Sequence, residues 1–403
     1  MRFLTTVGVL SLVLAALGCN QPASVPVDDP PDPLYVDPAT RDFSQNPELL
    51  ERVLGSPHGY LRFINVPFSK ELCRHFGEAL LGNPPFNLHG DAHLEQYAVT
   101  DLGRGLTDFD DSSTGPAILD LMRFGTSLYL AADARGWSDH ADTMFDEFLR
   151  GYREALDDPS TEAPEPEVVR RLQAEFKHDR GKYFEWVDSI MEPVSAVERH
   201  GLMEAMTSYF DAMLKHAPEL GTHYFDVQDV GYLKMGIGSA LDIKYLVRIR
   251  GLSDDPGDDE VLEVKQVRDL TGIDCISVAL GSNPFRILRG QAGIAYQPYK
   301  LLGIVRFEDL TFWVHAWVEN YTEVAIDQTF QSSEELAEVA YDIGVQLGRG
   351  HPTHYDPPFD IQARFEQIHL LDLHEAELKT ECRNFADRVT AAWDRFRAAA
   401  ASG

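Results

Sequence analysis

Between residues 89 and 111 the chain concentrates groups that can move protons or hold charge. His89-Gly-Asp91-Ala-His93-Leu-Glu95-Gln96 is followed, about a hairpin's length later, by Thr107-Asp108-Phe109-Asp110-Asp111. Gly90 favours a turn. His89, Asp91 and His93 alternate, so on an extended backbone their side chains share one face. An aspartate placed there can orient a hydroxyl or accept its proton. Asp108 suits a magnesium ion, with Asp110 or Asp111 in support, because Mg2+ takes one or two carboxylates and completes its shell with phosphate oxygens and water. Phosphoryl transfer requires these parts. The same segment has a second reading: His89, Asp91 and His93, with His351 or His354, are side chains that can ligate zinc in a metal-dependent hydrolase.

A later segment offers the complementary charge. Gly236-Ile237-Gly238-Ser239 is a glycine turn whose amides can face phosphates, and it is followed by two strand-like runs and Lys265. A lysine on such a strand can pair with the α- and β-phosphates of a nucleotide. The nucleotide reading therefore demands that Lys265 and Asp108, far apart in the chain, converge on one cleft. It also demands an acidic partner for the lysine; Glu263 and Asp269 are the nearby choices, while Arg286 and Arg289 could offset phosphate charge.

The elements that must position these residues fall into three blocks. From about 43 to 225 the apolar spacing is mostly helical: Ser69–Leu81, Pro116–Ala134, a helix capped by Ser138 and running through Phe145, Phe148 and Tyr152, then Glu167–Phe176 and Val197–Lys215. From 226 to 320 the pattern changes to strands: Lys244–Arg250 and Val261–Val267 around the turn cluster at 253–259, then Leu301–Phe307 and Thr311–Val318. From 321 to 403 helices return, near Ser333–Leu347 and Asp372–Ala398. The fold class is α+β, a helical large lobe interrupted by a small antiparallel β-lobe.

The chain has 403 residues, 65 acidic against 35 basic, and a formal net charge of −30. Nucleic acid and anionic membrane surfaces need a basic face, so neither is expected as a main partner. Residues 1–19 read as a signal: Arg2, an apolar run too short to span a bilayer, and Ala16-Leu17-Gly18-Cys19. Residues 20–42, rich in Pro and Asp, read as an extended tether. Beyond Cys19 the cysteines are Cys73, Cys275 and Cys382, so at most one disulfide forms among them and one thiol remains.

These segments resemble known families. Residues 16–19 resemble a bacterial lipoprotein box, which implies lipidation of Cys19 and a location outside the cytoplasm. Residues 89–111 resemble the catalytic loop of aminoglycoside phosphotransferases and choline kinases, a His-x-Asp-x-x-x-x-Asn pattern followed by Asp-Phe-Asp/Glu. They resemble still more the bacterial family called domain of unknown function 2252, through Gly90-Asp91-Ala92-His93, Asp108-Phe109-Asp110-Asp111, Gly115-Pro116…Asp120-Leu121-Met122-Arg123 and Ser56-Pro57-His58-Gly59-Tyr60-Leu61-Arg62. The resemblance implies a two-lobed protein-kinase-like fold in circularly permuted order, because the glycine-turn lobe here follows the aspartate loop. It implies Asp91 and His89 as catalytic residues, Asp108, Gln96 and Asp110 at the metal, and Gly236, Gly238, Ser239 and Lys265 at the nucleotide. MgATP is the implied cofactor, and a small hydroxyl- or amine-bearing acceptor the implied partner. In this pattern Trp317-Val318-Glu319-Asn320 is a hinge beside the adenine. Gln96 stands where the pattern has Asn, and Arg289 where a Glu is expected before Gly290-Gln291. Both departures suit a non-catalytic surface binding module. Oligomeric state is left open.

Overall fold

The computed structural model describes residues 32–44, 46–77, 83–233, 242–277 and 284–402. Gly236, Gly238, Ser239 and Cys19 lie outside the described residues.

Among the described residues the first three α-helices are α1 (Pro47–Gly55), α2 (Pro57–Phe63) and α3 (Asn65–Phe76). Asn46 and Ser56 cap the first two, each accepting a bond from an amide of the first turn and each followed by Pro. Four short strands follow: β1 (Pro85–Leu88), β2 (Tyr97–Thr100), β3 (Gly103–Leu106) and β4 (Ser113–Pro116). They are too short for their periodicity to separate them from loops, and sequence patterning passed over all four. β1 pairs with β4, and β2 with β3.

α4 (Ile118–Arg135) and α5 (Ala141–Asp157) then form the centre of the helical core. Ser138 does not cap α5; it opens a 3-10 turn, and its hydroxyl bonds Asp133. α10 (Ser333–Gly350) lies along α5 at very close range. A Cβ at Gly344 would stand 2.1 Å from the Phe148 carbonyl oxygen, so only glycine allows this approach. α11 (Phe359–Ser402) starts well before the expected Asp372 and packs its buried face on α4 and α5.

The second core belongs to a six-stranded antiparallel sheet, ordered β5-β6-β7-β8-β10-β9. Its strands are β5 (Met191–Pro193), β6 (Val227–Leu233), β7 (Lys244–Ile249), β8 (Glu260–Gln266), β9 (Gly303–Phe307) and β10 (Leu310–Ala316). α6 (Glu167–Gln173) and α7 (Arg180–Ile190) precede them in sequence, while α8 (Ala196–His216) and α9 (Phe285–Ile294) lie between them. One sheet face carries Tyr245, Val247, Leu262, Val264, Phe312 and Val314, which pack on Leu202, Met206 and Tyr209 of α8. The sheet therefore begins before residue 226: β5 joins its edge, and α8 covers its face. β11 (Tyr321–Glu323) leaves the sheet and pairs with β2. The molecule is α+β, and its described strand pairs are all antiparallel.

Cys73 of α3 is bonded to Cys275, across a sequence separation of 202 residues, and Cys382 is a buried free thiol. This matches the cysteine count. Among the described residues no helix is long and apolar enough to cross a membrane.

Candidate active site

The opposite face of the six-stranded sheet is where alternation yields to charge. Antiparallel pairing sets Lys244, Lys265 and Trp313 in one row across β7, β8 and β10, and Leu246, Glu263 and His315 in the next. α7 covers the outer part of this face through Phe184, Val187, Leu246 and Val261. The rest lines a cleft of about 250 Å3. At its lip Trp186 of α7 packs against Trp317, 5.4 Å between ring centroids, with Val318 and Glu319 beside them. Deeper in, the His315 ring is stacked between Trp313 and Tyr299, at 4.5 and 4.4 Å, and its Nε2 lies 2.9 Å from Glu263. Burial alone would raise Glu263, but His315 and Lys265 hold it down to about 2.

Asp108 enters the cleft from the other side. The Lys265 ammonium donates to its Oδ1 at 2.8 Å and pairs with Asp110 Oδ2 at 2.5 Å. The convergence demanded of two positions 157 residues apart is thus present. Asp269, the other acid near the lysine in sequence, bonds Thr271 within its own turn. Trp313 Nε1 donates to the other oxygen of Asp110 at 2.9 Å. Burial disfavours the ammonium, yet Asp108, Asp110 and Glu263 hold the Lys265 pKa well above its usual value. Burial would likewise raise Asp108, but Lys265, with Arg268 behind it, keeps it ionised far below the usual carboxylate range. Asp110 moves the opposite way, through burial and the charge of Asp108. Two neighbouring carboxylates held apart in this way titrate as a unit.

Asp108 has φ +58°, a left-handed conformation that Asp tolerates better than most residues. After it, the turn is fastened by cations. Arg268 bonds Asp111 at 2.8 Å and Asp242 at 2.7 Å. The Arg286 guanidinium is engaged by the Asp110, Ser112 and Arg268 carbonyls, so it fastens the turn instead of meeting a ligand's phosphate.

The Asp91 loop is built differently. Gly90 has φ +84°, and a Cβ there would lie 1.9 Å from the Asp111 carbonyl oxygen. Asp120, in the first turn of α4, accepts the His89 and Gly90 amides at 2.7 and 2.9 Å. Arg123, one turn further, grips Asp91 Oδ1 from Nε and Nη2 at 2.9 and 2.6 Å. Burial pushes Asp91 up to about 7; Arg123 opposes this, while Asp111 and Asp108 add to it.

His89 does not face the cleft with a free nitrogen. Its Nδ1 accepts the Asp91 amide at 3.2 Å, and its Nε2 donates to the Thr107 carbonyl at 2.8 Å. Burial lowers its pKa, which fits this neutral form. His89 therefore links the two loops through the backbone. His351 is also engaged at both nitrogens, by Tyr152 and Asp120. His93 packs edge-on against His58, with Nε2 3.9 Å from Asp91. Among the described residues no three His, Cys, Asp or Glu side chains form a metal-holding group, so the zinc set of the hydrolase reading is not assembled.

Gln96 lies beside Asp108. Its Nε2 is 3.4 Å from Asp108 Oδ2, and its buried Oε1 has no hydrogen-bond partner among the described residues. With its amide turned so that Oε1 faces Asp108, Gln96 would join that carboxylate in an oxygen donor set of the kind Mg2+ takes, completed by ligand oxygens and water.

The sequence assigns no role to several residues that position the site, Asp120 and Arg123 of the quoted Asp120-Leu121-Met122-Arg123 segment among them. Asp120 and Arg123 had a helical i, i+3 signal that puts both on one face. Lys244 and Trp313 join the site only through strand register, which a single sequence does not state.

Among the described residues, a buried aspartate gripped by an arginine, a lysine–aspartate pair and an aromatic-lipped cleft thus stand close together on an α+β scaffold. The chain belongs to the family described as "Uncharacterized protein conserved in bacteria (DUF2252)", whose model matches residues 45–182 and 167–399. Comparison with curated proteins and with solved structures returns no match.

Proposed function

We propose that this protein is a kinase-like phosphotransferase that binds MgATP and phosphorylates a small hydroxyl- or amine-bearing acceptor. The observation that carries this reading is the Lys265–Asp108 contact at 2.8 Å on the floor of the cleft. The aromatic lip at Trp186 and Trp317 suits a planar base, and the segment 317–320 then serves as the hinge. Lys265 would meet the nucleotide phosphates. Asp108 and Gln96 would hold Mg2+, which when bound would offset the phosphate charge. Asp91, poised near neutral pH and fixed by Arg123, would orient the acceptor and take its proton. His89 keeps the Asp91 loop against the Asp108 loop. Gly236, Gly238 and Ser239 complete the nucleotide site in this reading, and the scaffold is a protein-kinase-like fold in permuted order.

A non-catalytic binding module is the second reading, and Gln96 and Arg289 favour it. Lipidation at Cys19 would place either protein on the outer face of a membrane, held there by its lipid. The Cys73–Cys275 bond accords with an oxidising compartment.

Calorimetry with MgATP tests the site. Binding should survive Asp91→Asn and be lost in Lys265→Met with Asp108→Asn; no binding to the wild-type protein sinks both readings. Phosphate transfer to an acceptor library, abolished by Asp91→Asn, would select the enzyme over the module. Labelling with a palmitate analogue, lost in Cys19→Ala, tests the anchor.

A further inference from the structure

We propose that Lys244 is a second phosphate-binding cation, so that the cleft takes a ligand carrying two or more linked phosphates. This deepens the nucleotide reading given above and rests on the same cleft. Lys244 opens β7 and is the direct cross-strand partner of Lys265 on β8. Both side chains are buried, and both line the cleft. Like charges directly opposite one another on a sheet destabilise it, and burial makes that worse. Burial, and next the charge of Lys265, lower the Lys244 pKa, while Glu263, Asp108 and Asp110 oppose the shift.

Asp108, Asp110 and Glu263 act on both lysines. A polyanion entering the cleft would meet two ammonium groups one strand apart, a spacing of roughly 4.8 Å between backbones. One phosphate needs one such group; a phosphate chain can use both. Trp313 and the stacked His315 wall the row on its far side, so the charges are confined to the cleft floor.

The test is calorimetric titration with inorganic tripolyphosphate, pyrophosphate, ADP and AMP, each with Mg2+. Wild type, Lys244→Met and Lys244→Arg are compared after melting curves establish that each is folded. Lys244→Met should weaken tripolyphosphate and ADP by about tenfold, leave AMP within about twofold, and be rescued by Lys244→Arg. Equal loss for AMP and ADP, or tripolyphosphate binding unchanged by Lys244→Met, overturns the inference while leaving nucleotide binding intact. Tripolyphosphate binding that depends on Lys244, with ADP no tighter than pyrophosphate, upholds the inference and removes the adenine from the reading. Wild-type protein that binds no inorganic polyphosphate overturns it outright.

Discussion

The Asp108 loop, which lines the cleft, and the neighbouring Asp91 loop are held in opposite ways. The Asp91 loop is fixed from within the helical core: Asp120 holds its amides, Arg123 its carboxylate, and Ser127 the Leu94 amide, all from α4. The Asp108 loop is fixed largely from the sheet side, by Lys265 and Trp313, with Arg268 just beyond β8 and Arg286 on α9. One aspartate is set by a single rigid helix. The other depends on ion pairs contributed by a separate core. A site made this way has a fixed reference and an adjustable counterpart, so substitutions in the two loops should have different signatures.

The sharpest break in the comparison is Gly90→Ala. The positive φ and the clash with Asp111 should together cost about 4 kcal/mol or more. Gly136→Ala is the control: its φ is +69° but nothing lies within 4 Å of the added Cβ, so a cost of about 1 kcal/mol is expected. Urea unfolding of both variants separates steric closure of the two loops from backbone preference alone. Equal losses would deny that the loops are locked together at Gly90.

Asp120→Ala should follow, at about 3 kcal/mol, because the buried His89 amide, the partly buried Gly90 amide and His351 lose their partner together. Lys265→Met should cost less, about 2 kcal/mol at pH 7, since the Asp108 loop keeps Arg268 and Arg286. Its pH dependence has a definite sign. Asp108 has a depressed pKa in the folded state, so its stabilisation is present above the unfolded carboxylate value near 3.9 and is lost as pH falls through the folded value. The deficit of Lys265→Met should therefore persist from pH 7 to about pH 4 and shrink only below that, as urea unfolding across the range would show.

The smallest effect at neutral pH is a change of slope. Asp91 titrates at about 7 when folded and near 3.9 when unfolded, so between those values the folded state binds the extra proton. Stability should fall as pH rises through that window, and Asp91→Asn should flatten the profile. A profile that rises with pH in wild type and is unchanged in Asp91→Asn would show that Arg123, not burial, governs this carboxylate.

Much of this arrangement was legible because long elements announce themselves. α4, α8, α10, β7 and β8 fall within a few residues of where periodicity placed them, since each carries a sustained apolar stripe or alternation. α7 is shorter, 11 residues, and its buried positions Tyr183, Phe184 and Val187 sit within little more than one turn, too brief a span to show a period. The short strands β1 to β4 exist through pairing with distant segments, which local preference does not encode. Within the site, the carboxylates and Lys265 were readable as residue types in a suggestive order. Arg286 was not: an arginine on a helix reads as solvated, and only the fold turns it onto three carbonyls.

The Cys73–Cys275 bond makes the intervening polypeptide a closed ring that contains both acidic loops, the exposed acidic stretch after α5, and β5 to β8. A single protease nick at Glu162 or Glu165, both exposed, opens the ring without releasing either end. Such material would migrate as one intact band on a gel until thiol is added, and then part into two fragments. Sample integrity for this protein is therefore a question to be asked with reductant present.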